Sequence, residues 1–206
     1  MNITLFLILA SVGASFYAWN NPTVYANWML NPYLIQKKNQ YYRFLTSGFI
    51  HADYMHLFFN MFSLYAIGST LETYFDMAFG GTSNYYFLGL YLGGMVLADL
   101  PTFFKEKKNS SYNSLGASGA VSAVIFSFIM IAPTQTLSIN FIPMPAFLFG
   151  ALYLGISYYQ AQRSLDNINH DAHFYGAMYG ILYSALLIPG CLVNFMNDLL
   201  SWRLPF

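Results

Sequence analysis

Apolar residues fill most positions of this 206-residue chain, and polar breaks divide them into long runs. A helix needs about 20 mostly apolar residues to cross the roughly 30 Å hydrocarbon core of a bilayer. Six segments approach that length, at approximately residues 3–20, 49–71, 84–100, 115–132, 143–161 and 171–189. The pattern predicts an all-α membrane protein built as a bundle of six transmembrane helices.

The composition supports a membrane environment along the whole chain. Only 8% of the residues are charged and 57% are apolar, whereas a soluble globular domain carries about 25% charged residues. No linker or charge block interrupts this composition, so we predict one membrane domain over 1–206, with a core at 1–190 and a short tail at 191–206. Trp202 and Arg203 suit a tail that lies at the membrane interface.

Charge and cysteine content exclude some classes of function. The formal net charge is zero, so no basic surface is available to neutralise phosphates, and we expect no nucleic acid partner. The single cysteine, Cys191, excludes an internal disulfide. The first basic residue is Lys37, so the first segment lacks the basic start of a signal peptide, and we expect it to stay as an uncleaved helix. Nothing in the sequence indicates a cofactor.

The four histidines of the chain fall at two places inside or beside apolar segments. His51 and His56 begin the second segment, and His170 and His173 begin the sixth. Asn60 lies four residues after His56, which puts both side chains on one helical face. Polar side chains in lipid are costly without partners, so these positions are candidates for function. Taken singly, His56 and Asn60 fit hydrogen bonds between helices equally well.

The fourth segment opens with a run of small residues around one serine. Ser118 stands between Gly116 and Gly119, and Ala120 occupies the place of the second glycine of a nucleophile elbow. The N–H groups in the first turn of a helix have no partner within the helix and can hold an oxyanion. Taken alone, the run is more typical of close helix packing with an incidental serine.

The sixth segment carries a histidine on a glycine stripe. His173, Gly176 and Gly180 share one helical face, so the imidazole lies on the side that approaches another helix most closely. Asp171 would point about 200° away from His173, so we do not assign it as an orienting carboxylate. With Ser118, these residues supply a hydroxyl, an imidazole base and N–H donors, and they predict a Ser/His dyad.

These motifs occur in an order that resembles the rhomboid intramembrane serine proteases, in their basic six-helix bacterial form, across residues 1–190. The motifs that carry the resemblance are Arg43, His51-x4-His56-x3-Asn60, Glu72, Gly116-Ala117-Ser118-Gly119 and Ala172-His173-x2-Gly176-x3-Gly180. The resemblance implies a rhomboid-like bundle of six transmembrane helices. It also implies a multi-pass protein of the bacterial inner membrane that cleaves single-span membrane proteins within the lipid bilayer, without a cofactor or metal.

The resemblance also implies a role for each motif. Ser118 would attack the scissile carbonyl, and His173 would act first as general base and then as general acid. The oxyanion hole would consist of His56, Asn60 and the backbone N–H of Ser118. The positions implied for helix packing around this dyad are Gly116, Gly119, Gly176 and Gly180.

Two positions depart from the pattern of well-studied bacterial rhomboids. Ser122 stands where those proteins have a tyrosine that stacks on the catalytic histidine. We therefore expect an aromatic residue from elsewhere in the chain to support His173. The Trp-Arg pair of the first long loop is also missing, so we expect that loop to pack in its own way.

The family's usual orientation places both termini in the cytoplasm and opens the site to the opposite side. That orientation would put most basic residues outside, namely Lys37, Lys38, Arg43, Lys105, Lys107, Lys108 and Arg163. Only Arg203 would lie inside, against the tendency of positive residues to stay in the cytoplasm. We keep the family orientation as the expectation.

Two other functions fit parts of the pattern. A metal-dependent membrane hydrolase would use as zinc ligands His51, His56, His170 and His173. The sequence has no His-Glu-x-x-His motif to support it. A non-catalytic relative that binds membrane clients commonly lacks the serine or the histidine, and this chain has both. The protease is therefore the leading hypothesis.

Overall fold

The structure, a computed structural model, describes residues 2–139, 142–162 and 169–203. Its helices are α1 (Ile3–Trp19), α2 (Pro22–Trp28), α3 (Pro32–Lys38), α4 (Arg43–Thr46), α5 (Tyr54–Phe79), α6 (Ser83–Glu106), α7 (Ser118–Ile131), α8 (Ala146–Ala161), α9 (His170–Leu187) and α10 (Cys191–Ser201). Strands β1 (Thr136–Ile139) and β2 (Ile142–Pro145) form an antiparallel hairpin. Arg163, one of the basic residues that the family orientation would put outside, and the end of the tail at 204–206 lie outside the described residues.

Each of the six predicted segments overlaps one long helix, namely α1, α5, α6, α7, α8 and α9. The described helical stretch Tyr54–Glu106, which contains α5 and α6, has the length and the mean hydropathy, 1.5, of a membrane-crossing segment. Helices α9 and α10 meet at a bend of 109°, and together they would provide a second membrane-crossing segment if they formed one span. Helices α1 and α7 are apolar but shorter. A mostly helical membrane fold is therefore supported, and the count of six spans stays a prediction.

Helix α7 lies at the centre of the fold. Eleven of its residues are buried, and it contacts α5, α6, α8, α9 and α10. The outer helix faces expose large apolar side chains such as Phe58, Phe62 and Ile156. Small polar residues are buried instead, and Ser184 of α9 donates a 2.7 Å hydrogen bond to Ser127 of α7. Apolar side chains outside and small polar contacts between helices suit a bundle surrounded by lipid.

Helices α7 and α9 approach each other through glycine. A Cβ added at Gly176 would lie 2.9 Å from the carbonyl carbon of Gly119, and one added at Gly180 would lie 2.9 Å from that of Ala123. Since the neighbouring atoms belong to backbone, no rotamer change could make room. A Cβ at Gly119 would lie 2.7 Å from the Cβ of Ala98 on α6. The three helices therefore meet at van der Waals contact of their backbones, as small residues allow.

The loop between α1 and α5 folds around one buried cation. Arg43 is 1% exposed, and its guanidinium donates to the carbonyl oxygens of Ala26 and Met29, at 3.0 and 2.7 Å. A third bond, 2.7 Å long, runs to Oε1 of Gln40. Arg43 thus ties together the short helices of this loop by satisfying backbone carbonyls that burial would otherwise leave unbonded.

Candidate active site

A cavity of about 720 Å³ lies beside the first turns of α7 and α9. Its lining includes Ser118, His173, His56 and Asn60. Ser118 is the first residue of α7, His173 lies in the first turn of α9, and the other two lie on α5. The structure therefore brings the proposed nucleophile, base and oxyanion donors from three helices to one cavity.

The segment that leads into Ser118 is held by the long loop before α5. Leu30 and Ser114 exchange both backbone hydrogen bonds, at 2.9 and 3.1 Å, and the N–H of Gly116 donates to the carbonyl of Ser47 at 2.9 Å. Gly116 has a φ of +124°, which side-chain-bearing residues rarely adopt. A Cβ at this position would also lie 2.6 Å from Cε1 of His56. Glycine is therefore required at Gly116 both by the backbone and by its neighbour.

His51 holds the same segment from the other side. Its ring is fully buried, and Nε2 accepts a 3.4 Å hydrogen bond from the N–H of Ala117. The proton of the neutral ring then lies on Nδ1, which donates to Oγ of Ser15 at 3.0 Å, and that hydroxyl donates to the carbonyl of Phe49 at 3.2 Å. His51 lies before α5, and burial lowers its pKa to about 3. Sequence reasoning placed His51 in a motif of the family resemblance and considered it as a possible metal ligand, but it did not predict this supporting position.

His56 and Asn60 present hydrogen-bond donors to the cavity. Nδ1 of His56 accepts from the N–H of Ala52 at 3.4 Å, so the neutral ring carries its proton on Nε2. That nitrogen faces Gly116, since it would lie 2.8 Å from a Cβ there. The amide of Asn60 donates one hydrogen to the carbonyl of His56 at 2.9 Å and carries a second hydrogen. Two N–H donors of α5 are thus available beside the start of α7.

Tyr153 of α8 lies against the ring of His173. The two ring centroids are 6.3 Å apart, and the ring planes are inclined by only 26°. The hydroxyl of Tyr153 is 2.6 Å from Oγ of Ser122, so the two share a hydrogen bond. Ser122 is the position at which the family resemblance led us to look for an aromatic. No spacing rule distinguishes Tyr153 among the 18 tyrosines of the chain, so sequence reasoning did not find it.

Asn169 fixes the start of α9 on α6. Its Oδ1 accepts hydrogen bonds from the N–H of Ala172, at 3.2 Å, and from the hydroxyl of Thr102, at 3.0 Å. Its amide group donates to Asp99 at 3.2 Å. An asparagine directly before a helix is a common N-cap, so the place of Asn169 before the sixth apolar segment was a sequence signal for this role.

Two further ionisable groups near the site, Asp171 and His51, are already bonded to other residues. Asp171 forms a 3.1 Å ion pair with Lys105, in keeping with our decision not to assign it to His173. Among the described residues, no group of three or more His, Cys, Asp or Glu side chains is arranged to hold a metal ion. Both ring nitrogens of His51 are already bonded within the protein. The four-histidine zinc site therefore has no support in the geometry.

Comparison with known proteins identifies the family. A family model described as the Rhomboid domain matches residues 38–190. The chain belongs to the rhomboid family. Rhomboids are integral membrane proteins and are generally serine proteases that act on membrane proteins in the bilayer.

Similar rhomboids occur in mitochondria of several eukaryotes. The chain is 29% identical over 204 residues to RHOMBOID-like protein 12, mitochondrial, of Arabidopsis thaliana, which covers 92% of this chain and 59% of that protein. It is 27% identical over 188 residues to Rhomboid protein 1, mitochondrial, of Saccharomyces cerevisiae, covering 86% and 52%. It is 30% identical over 143 residues to human Presenilin-associated rhomboid-like protein, mitochondrial, covering 68% and 36%. The chain thus spans between about a third and three fifths of these relatives.

Proposed function

We propose that this rhomboid is a serine endopeptidase that hydrolyses peptide bonds of single-span membrane proteins through a Ser118/His173 dyad. The observation that carries the proposal is the convergence of four polar side chains from α5, α7 and α9 on one cavity. Each of these side chains alone has a structural explanation. Their arrangement beside the first turn of α7 supports a shared chemical role.

In the proposed reaction, Oγ of Ser118 attacks the scissile carbonyl carbon while His173 takes the hydroxyl proton. The tetrahedral intermediate collapses, the C–N bond breaks, and His173 gives the proton to the leaving amine. Water then attacks the acyl-enzyme while His173 takes its proton. The ester bond to Oγ breaks, His173 returns the proton to Oγ, and the carboxylic acid product leaves Ser118 free. The dyad needs no third acid, since other groups can hold the imidazole in place.

The negative charge of each tetrahedral intermediate needs donors that are already in position. Nε2–H of His56, the second amide hydrogen of Asn60 and the backbone N–H of Ser118 are the candidates. Asp53 stabilises this arrangement locally, because it accepts from the N–H of His56 at 2.8 Å and caps α5. Removing one such donor typically costs about 10² to 10³ in kcat.

The proposed substrate is a membrane-spanning segment that unwinds near one helix end. An intact helix satisfies its own backbone groups and hides its carbonyl carbons, so cleavage requires local unwinding, for which small residues are suited. We propose the bacterial inner membrane as its location, which the family resemblance implied, whereas the relatives named above are mitochondrial. Membrane fractionation of the source cell tests that location.

Fluorophosphonate labelling of purified protein, together with cleavage of a single-span reporter, tests the proposal. We expect the wild type to be labelled at Ser118 and to cleave the reporter. Ser118→Ala should abolish labelling and lower cleavage by about 10⁶, the typical cost of losing a nucleophile. Ser201→Ala, which changes an exposed serine at the end of α10, is the matched control and should behave as wild type.

Undiminished cleavage by Ser118→Ala would overturn the proposal. A wild type that binds the reporter but is neither labelled nor active would favour the non-catalytic client-binding alternative. Loss of cleavage on adding a chelator, with labelling of Ser118 unchanged, would favour a metal-dependent hydrolase.

A further inference from the structure

We infer that Tyr153, held by Ser122, positions the imidazole of His173, so that the catalytic ring is supported from α8. This inference rests on the proposed protease function and adds a positioning residue to it. The ring of Tyr153 lies nearly parallel to that of His173, at 26° with 6.3 Å between centroids. That separation lies within the range over which offset aromatic rings attract each other.

Tyr153 is itself fixed on several sides. Its hydroxyl shares a 2.6 Å hydrogen bond with Ser122. Its ring also packs against Phe126 of α7 and Phe149 of α8, with centroids 5.5 and 5.7 Å away. A phenol that is held at its oxygen and around its ring has little freedom to rotate. The ring of Tyr153 can therefore restrict the orientation of the imidazole of His173.

Ser122 links Tyr153 to the helix that carries the proposed nucleophile, Ser118. It lies four residues after Ser118, so both hydroxyls are on the same face of α7. Ser118 would use its hydroxyl as nucleophile, and Ser122 uses its hydroxyl to hold Tyr153. The distance between nucleophile and base is thus set by α7 and α9, whereas the tilt of the base depends on α8.

The arrangement explains how a serine can stand at position 122. An aromatic side chain at that position would reach toward His173 from α7, and the ring of Tyr153 already occupies the space beside the imidazole. A small residue at Ser122 leaves room for Tyr153 and supplies its hydrogen bond. The two positions therefore form one unit, in which the ring comes from α8 and the anchor comes from α7.

Steady-state cleavage of a single-span reporter by the full chain in liposomes tests this inference. Tyr153→Leu removes the ring and should lower kcat by about 10- to 100-fold, because small misplacements of catalytic groups can cost about 10²-fold. KM should change less than kcat, since the ring acts on the base, although Tyr153 also lines the cavity. Tyr153→Phe keeps the ring and its packing against Phe126 and Phe149, so kcat should stay within about threefold of wild type even without the single hydrogen bond to Ser122.

Two further variants separate positioning from folding. Tyr158→Leu removes another ring of α8, one that packs on Phe174 instead of His173, and it should leave kcat unchanged. Ser122→Tyr added to Tyr153→Leu returns an aromatic to the site from α7 and should restore at least part of the lost kcat. Thermal unfolding of each variant shows whether a loss of rate follows a loss of folded protein.

The outcomes distinguish the inference from the proposed function. If Tyr153→Leu retains the wild-type kcat, or if its loss equals that of Tyr158→Leu, Tyr153 does not position His173 and the dyad is untouched. If Tyr153→Phe is as impaired as Tyr153→Leu, the stacked ring is not the feature that matters and the inference is wrong. Cleavage by Ser118→Ala, in contrast, would remove the proposed function itself.

Discussion

Helix α7, which carries the proposed nucleophile, meets its neighbours α9 and α8 in opposite ways. Against α9, the contact is made by glycine: Gly176 and Gly180 have no side chains and bring the two backbones into direct contact. Against α8, a long side chain bridges the gap, since Tyr153 extends to Ser122 and to His173. The first contact fixes how far the proposed base, His173, is from the proposed nucleophile, Ser118. The second, by our inference, fixes how the ring of His173 is turned, and a change at Tyr153 leaves the backbone contact between α7 and α9 in place.

The largest effect is expected where the backbones touch. In Gly176→Ala, the new Cβ would lie 2.9 Å from the carbonyl carbon of Gly119, so α9 must move away from α7. Overpacking of this kind typically costs about 1 to 3 kcal/mol, and we expect the upper end because the neighbour is backbone. Unfolding in detergent micelles measures the cost, and fluorophosphonate labelling of Ser118 should fall with it.

Gly180→Ala provides the comparison within the same helix. Its Cβ would meet the backbone of Ala123, one turn further from the site. We expect a similar loss of stability, with a smaller effect on labelling in the protein that remains folded. Wild-type stability in both variants would show that the α7–α9 contact is more yielding than its geometry indicates.

A second, smaller effect depends on pH and concerns the other end of the site. The pKa of His51 is about 3 in the folded protein because the ring is buried, against about 6.5 in an unfolded chain. At pH values between about 3 and 6.5, His51 is protonated in the unfolded state and neutral in the folded state. The stabilisation from neutral His51 is therefore complete above pH 6.5 and falls with decreasing pH, by up to about 1.4 kcal/mol per pH unit.

His51→Gln is the matched variant for this prediction. Its amide can accept from Ala117 and donate to Ser15, as the imidazole does, but it does not titrate. Unfolding free energies measured at pH 7 and pH 5 should differ less in this variant than in the wild type. His56 also titrates and lies 5.1 Å from His51 between ring centroids, so the difference between the two proteins is the informative quantity. Equal slopes would contradict the burial of His51.

The third effect tests a polar contact between α7 and α9. Ser184→Ala removes the buried 2.7 Å hydrogen bond to Ser127. Hydrogen bonds between membrane helices contribute about 0.6 kcal/mol on average, so we expect a loss of that order and wild-type kcat. Ser127→Ala should give the same loss, and the double variant should add little more. A loss as large as that of Gly176→Ala would mean that polar contacts, and not glycine packing, hold α9 in place.

The sequence contained the parts of the site that follow from local rules. Ser118 among small residues, the His56 and Asn60 pair on one helical face and the glycine stripe that carries His173 are all local patterns. The structure brings Ser118, His56, Asn60 and His173 to one cavity, while Gly176 and Gly180 pack against α7. Tyr153 contacts His173, which lies 20 residues away in sequence, and His51 contacts Ala117, which lies 66 residues away. No local pattern specifies such contacts. The hairpin of β1 and β2 was missed because Pro143 and Pro145 lie beside an apolar run that favours a helix.

The smallest effect is expected on α8, and it completes the comparison. A Cβ added at Gly155 would meet nothing within 4 Å in the part of the chain that the structure describes. Gly155→Ala is the same chemical change as Gly176→Ala, made on the helix that reaches α7 by a side chain. We expect unchanged kcat and a stability equal to wild type or higher by at most about 1 kcal/mol, because alanine favours a helix more than glycine does. A loss of stability comparable to that of Gly176→Ala would show that α8 also depends on close backbone packing, and the contrast between the two neighbours of α7 would then be wrong.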